Sequence, residues 1–158
     1  MIYCNETMDS KKRILIANHG MSATKFTSSL SNYYHIIGIV TQADIEAGYR
    51  YITMVHETIL GPPDIYTNIE EIIKLAKMVK ADGVAPGWGY LSENHLFSKR
   101  VEEEGMIFLG PRHETLYALG DKVKCLEVSE SANVPIAPWG QVFNGTEALA
   151  KSKEIGFP

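Results

Sequence analysis

Four short apolar runs, Ile14–Ala17, His35–Val40, Gly83–Ala85 and Met106–Leu109, alternate with stretches whose apolar residues recur every three or four positions. That alternation constrains the fold more than any other feature. A short run with no polar partner suits a strand buried on both faces, whereas three- and four-residue spacing is the signature of a helix with one apolar side. Ala23 to Tyr33, with Phe26, Ser29, Leu30 and Tyr33, predicts the first helix. Asn68 to Val79, with Ile69, Ile72, Ile73, Ala76 and Val79, predicts another, and Asn94 to Glu104 a third that turns Leu96, Phe97 and Val101 inward. Strand, helix and strand in that order imply parallel pairing through a right-handed crossover. The expected class is therefore α/β, an open parallel sheet with flanking helices.

Between these units, Thr41-Gln42-Ala43-Asp44 reads as a polar turn entering a short helix through about Tyr51, and Ile59-Leu60 as a short strand closed by Gly61-Pro62-Pro63. The last third changes character. His113 to Leu119 is short and helical, and Gly120-Asp121-Lys122 opens a helix to about Ala132. Val134-Pro135-Ile136 is extended as its proline requires, and Thr146 is a candidate cap for a helix to Ile155. The stop at Gly156-Phe157-Pro158, where another strand would ordinarily follow, reads as a cut.

Composition bounds the function. At 158 residues, 45% hydrophobic and 22% charged, the chain is one soluble domain's worth, and a net charge of −4 gives no general attraction for nucleic acid or anionic lipid. Two cysteines, Cys4 and Cys125, and five histidines without ligand spacing indicate a reducing compartment and no metal centre. Glu6 and Asp9 in a polar lead-in, residues 1–11, argue against a leader, and no stretch is long enough to span a membrane. A cytoplasmic protein with no nucleic-acid and no membrane partner is expected.

Three places have the residue types for chemistry. The turn Asn18 to Ser22 stands where a dinucleotide-binding fold carries three glycines, but only Gly20 is present, so Asn18 and His19 are read as satisfying the turn's own backbone. Gly87 and Gly89 bracket Trp88 and precede Tyr90 directly after a buried strand, a turn that can hold both aromatics at a strand's carboxyl end. They read as core residues or as a pocket wall, with Ser92 or Asn94 capping the next helix. Lys122, with Lys124 close by and Asp121 as cap, opens a helix; it reads as a solvated turn or as a phosphate contact at a helix start.

Taken together, Ile14-Leu15-Ile16-Ala17-Asn18-His19-Gly20, Tyr66-Thr67-Asn68-Ile69-Glu70, Pro86-Gly87-Trp88-Gly89-Tyr90-Leu91-Ser92-Glu93-Asn94, Phe108-Leu109-Gly110-Pro111 and Ala118-Leu119-Gly120-Asp121-Lys122 resemble, in order, the N-terminal part of the biotin carboxylase domain of acetyl-CoA carboxylases. Trp88, Asn18-His19-Gly20-Met21 and Pro138-Trp139 resemble the eukaryotic multidomain type. The resemblance implies a Rossmann-like subdomain over residues 12–140 that precedes an ATP-grasp module, with residues 141–158 a helical linker toward it. It implies that Lys122 contacts ATP phosphate and that Trp88 and Tyr90 border the carboxylation site. It also implies ATP, biotin on a carrier domain, and Mg2+ or Mn2+ held by residues outside this chain. The partners implied are the remaining ATP-grasp part, the carrier domain and a second copy in a homodimer. No catalytic residue is assigned within these 158 residues, which alone are expected to be inactive. Two other classes stay open: a noncatalytic module that pairs with a carboxylase, and a nucleotide-dependent reductase disfavoured by the incomplete glycine motif.

Overall fold

In the computed structural model, residues 11–157 are described; Cys4, most of the polar lead-in and Pro158 lie outside them. Two compact units divide between Leu116 and Tyr117. The sequence-based boundary after residue 140 falls within the second, in the extended stretch before its last helix.

Among the described residues the first unit is built on five strands: β1 (Arg13–Ile16), β2 (His35–Val40), β3 (Glu57–Leu60), β4 (Gly83–Ala85) and β5 (Ile107–Phe108). They lie in the order β3-β2-β1-β4-β5, every pairing parallel, with Leu15 opposite Ile37 on one side and Val84 on the other. Successive side chains of a strand point to opposite faces, so the short apolar runs feed two cores. Leu15, Ile37, Ile39 and Val84 pack with Ile72 and Ala76 of α3 (Ile69–Met78) and with Phe97 and Val101 of α4 (His95–Glu103). Ile14, Ile16, Ile36 and Ala85 pack with Ala23 of α1 (Gly20–Leu30) and with Tyr51. Gly38 leaves room for Tyr51, since a Cβ there would come within 3.3 Å of its ring.

Three local expectations shift, and one open choice is settled. The helix entered at Thr41 ends early: α2 covers Gln42–Glu46, and Arg50–Thr53 is a separate 3-10 turn. Leu96 is exposed, because Asn94 caps α4 through the Leu96 and Phe97 amides and the buried face is taken by Phe97 and Val101, four residues apart. Asn94, and not Ser92, is that cap. In the second unit, which holds α6 (Lys122–Ser131) and α7 (Gly145–Ile155), the cap of α7 is Asn144 and not Thr146: its side chain accepts the Glu147 N–H. α5 (His113–Leu119) runs across the division between the units.

Candidate functional site

Open parallel sheets place ligands beyond the carboxyl ends of their strands, near the point where strand order reverses, here between β1 and β4. The turns after β1 and β4 meet at that edge. Asn18 is 2% exposed, and its amide donates to the Pro86 and Trp88 carbonyls at 2.8 and 2.9 Å while its Oδ1 accepts the His19 N–H. Ser22 Oγ accepts the Trp88 N–H at 3.3 Å. Gly87, at φ +69°, lies so close to these two side chains that a Cβ would collide with Ser22 Oγ and sit 2.8 Å from Asn18 Nδ2. Asn18 thus serves its own turn in part, and spends its amide on the other loop.

His19 does not serve the turn's backbone through its side chain. Its ring is stacked on Tyr66 (centroids 4.6 Å apart), meets the edge of Tyr49 at 5.4 Å and lies 5.5 Å from Tyr90. Nδ1 is 2.6 Å from Asp44 Oδ1 and Nε2 is 2.6 Å from the Tyr90 hydroxyl. Asp44 is 2% exposed, and its other oxygen accepts from the Thr41 N–H, the Thr41 hydroxyl and the Tyr66 hydroxyl, the last at 2.7 Å. Burial acts to raise the Asp44 pKa, but the hydrogen bonds from Tyr66, His19 and Thr41 outweigh it and hold the carboxyl below its ordinary range. The same burial, with the Asp44 carboxylate beside it, pushes the Tyr66 phenol up and keeps it protonated. An ionised Asp44 only accepts, so His19 Nδ1 carries a proton and donates to it, while Nε2 and the Tyr90 hydroxyl share the second hydrogen bond.

These residues border a cavity of about 230 Å3 that is also lined by Thr41, Tyr49 and Asp64. Tyr90 is on its wall; Trp88 is not among the lining residues and is half exposed. Two carboxylates and no lysine or arginine line it, so it is a poor seat for an anion. Tyr90 has φ +47°, a left-handed backbone costing a residue with a Cβ roughly 1–2 kcal/mol. Among the described residues no group of three or more His, Cys, Asp or Glu side chains could hold a metal ion, and no helix is long and apolar enough to cross a membrane.

Lys122 lies in the second unit, exposed in the first turn of α6, where Asp121 caps the helix by accepting the Lys124 N–H at 3.0 Å. The Lys124 ammonium sits 3.9 Å over the Tyr117 ring, whereas the Lys122 side chain makes no hydrogen bond or ion pair with another described residue. An uncommitted ammonium beside a helix N-terminus fits a phosphate group. Asp44, Tyr49 and Tyr66 are the site residues that sequence reasoning missed. Thr41-x-x-Asp44 is a legible capping pattern and forms a capping box, but nothing in it signals the link to His19.

The sheet order and the carboxyl-edge site define a Rossmann-like α/β domain. The chain belongs to the biotin carboxylase N-terminal domain family, whose model matches residues 10–116. It is 36% identical over 155 residues to the 2-oxoglutarate carboxylase small subunit of Hydrogenobacter thermophilus, covering 93% of this chain and 32% of that protein. Acetyl-CoA carboxylase 1 of Arabidopsis thaliana is 32% identical over 182 residues, covering 92% and 8%. The solved biotin carboxylase domain dimer of the Hydrogenobacter thermophilus 2-oxoglutarate carboxylase, in complex with MgADP, ADP and bicarbonate, superposes with a TM-score of 0.83 at 34% identity, covering 94% of this chain and 34% of that one. The chain thus spans about a third or less of the length of these relatives. Because pyruvate carboxylase of Staphylococcus aureus is also 36% identical, the resemblance to acetyl-CoA carboxylases resolves to the biotin carboxylase family as a whole.

Proposed function

We propose that this chain is the N-terminal part of an ATP-dependent biotin carboxylase of the acetyl-CoA carboxylase type, which carboxylates biotin with bicarbonate on the way to malonyl-CoA for fatty acid synthesis. The observation that carries the proposal is the family match over residues 10–116, which coincides with the sheet-bearing unit and its carboxyl-edge loops. Lys122 binds ATP phosphate, its ammonium offsetting negative charge there, since phosphoryl transfer depends on positioning and charge stabilisation. Trp88 and Tyr90 form part of the wall of the carboxylation site. ATP supplies the phosphoryl group that activates bicarbonate, with Mg2+ or Mn2+ bound outside this chain. The remaining ATP-grasp part and a biotin carrier domain complete the enzyme, and a homodimer is favoured by the dimeric state of the Hydrogenobacter thermophilus neighbour.

The acetyl-CoA choice rests wholly on the family resemblance of the ordered stretches, with Trp88, Asn18-His19-Gly20-Met21 and Pro138-Trp139 pointing to the eukaryotic multidomain type; 2-oxoglutarate and pyruvate carboxylases are as similar overall. Substituting Lys122→Gln in the full-length enzyme tests the ATP contact. Loss of a charged hydrogen bond, about 1.5–3 kcal/mol, is expected to raise the KM for ATP about tenfold or more. The thermal midpoint should stay unchanged, since Lys122 is exposed. An unaltered KM for ATP would remove Lys122 from the site.

A further inference from the structure

The loop after β4 is secured to the turn after β1 in two different ways. Up to Trp88 the anchors are main-chain groups: the Pro86 and Trp88 carbonyls on Asn18, and the Trp88 amide on Ser22. Beyond Trp88 the chain runs through two left-handed residues, Gly89 at φ +73° and Tyr90 at φ +47°. The Tyr90 side chain carries the cross-link there, a 2.6 Å hydrogen bond to His19 Nε2. His19 cannot easily turn away, because Asp44 holds its other nitrogen and Tyr66 and Tyr49 pack against its ring.

We propose that His19 is a positioning residue: held by Asp44 at one nitrogen, it clasps the Tyr90 hydroxyl with the other and so fixes the Gly87–Tyr90 loop, and Trp88 with it, at the carboxyl edge of the sheet. The consequence for carboxylation rests on the reading of Trp88 and Tyr90 as part of that site; the clasp itself does not. A side-chain clasp on a left-handed residue can open without unfolding β4: Asn18 and Ser22 hold only the main chain at Pro86 and Trp88, whereas the half-exposed Trp88 indole is outside those bonds and follows the residues beyond it. The clasp therefore governs the second half of the loop, and with it the mouth of the cavity that Tyr90 lines.

The test uses the whole 158-residue chain with Trp139→Phe, which leaves Trp88 as its one tryptophan. Adding Tyr90→Phe keeps the ring and removes the hydroxyl. The open population of the loop is expected to rise about fivefold, the effect of losing one ordinary hydrogen bond. It is read as faster acrylamide quenching of Trp88 with unchanged far-ultraviolet circular dichroism. Nitrogen NMR of labelled histidine should find a proton on His19 Nδ1, with the signal identified by its loss in His19→Gln, and a changed Nε2 signal in Tyr90→Phe. Asp44→Asn removes the carboxylate that holds Nδ1 and should shift the His19 nitrogen signals, with Trp88 quenching rising less than in Tyr90→Phe because the intact Tyr90 hydroxyl can donate to or accept from Nε2. Unchanged Trp88 quenching and an unchanged His19 signal in Tyr90→Phe would overturn the proposal, whether or not Asp44→Asn folds. Neither readout involves ATP or biotin, so failure of the carboxylase reading would appear in the Lys122 experiment and not in this one.

Discussion

In the first unit Leu15, Ile37, Val84 and Phe97 are fully buried, and at the carboxyl edge Tyr66 is itself a core residue and Asp44 is buried. In the second unit α6 and α7 hold no buried residue, and Val128, Phe143 and Leu149 are all exposed. Order there is local. Asp121 caps α6, Asn144 and Glu147 bond reciprocally around the start of α7, and the Trp139 indole N–H donates to Glu130 at 2.8 Å. A core can place a side chain to a fraction of an ångström because many contacts agree on its position, whereas a cap fixes only the turn that carries it. The difference teaches where precision resides in this chain: His19, Asp44 and Tyr66 are set by the sheet, while Lys122 is set by one capping bond.

The comparison would be broken most directly by truncating one apolar side chain in each unit. Leu15→Ala removes a fully buried side chain from the centre of the sheet and is expected to cost about 2–5 kcal/mol, whereas Leu149→Ala on exposed α7 should stay within about 0.5 kcal/mol. Chemical denaturation of the two variants checks this, and equal losses would mean that the second unit also rests on buried contacts.

A smaller effect sharpens the account of the first unit. Asp44→Asn replaces a buried acceptor of four hydrogen bonds and is expected to cost about 1–3 kcal/mol at neutral pH. The sign with pH follows from the depressed pKa. The Asp44 contribution is fully present above its ordinary value of 3.8 and is lost as pH falls below that toward the lower value of the folded state. Urea midpoints measured from pH 6 downward should therefore fall less steeply below about pH 4 in the variant than in the parent. Parallel curves would indicate that Asp44 is not held as the carboxylate.

The smallest expected change concerns the second unit. Asp121→Ala removes the α6 cap, worth about 1 kcal/mol. Hydrogen exchange should accelerate across the first turn of α6 and leave α3 and α4 unaltered, and acceleration in both places would contradict a purely local role for the cap.

Much of the fold was legible because strands buried on both faces leave short apolar runs that few other arrangements require. His35–Val40 and Gly83–Ala85 match their strands residue for residue. The Asn68–Val79 helix is likewise found, with Asn68 as its cap. Leu96 misled because its spacing fits a helix, while its facing depends on which side α4 turns to the sheet. Thr146 misled because any short polar side chain near a helix start can cap it, and Asn144 is the one whose oxygen meets a free amide. The relay at the carboxyl edge was not legible at all. His19, Asp44, Tyr66 and Tyr90 are far apart in sequence, and each has an adequate local explanation as turn, cap or core residue; only the parallel order of β1, β2 and β4 brings them together. At Lys122 the helix-start position alone leaves a solvated turn and a phosphate contact both open, since its local geometry is that of any capped helix start, and only the family resemblance favours the contact.

One measurement reaches the central claim directly. The native protein, captured through an antibody against residues of this chain, is incubated with labelled bicarbonate, ATP, Mg2+ and free biotin. Label transferred to biotin in an ATP-dependent manner, with transfer weakened by Lys122→Gln, is the result expected of the N-terminal part of a biotin carboxylase. A captured protein that contains this chain intact and transfers no label to biotin, with or without ATP, would contradict it.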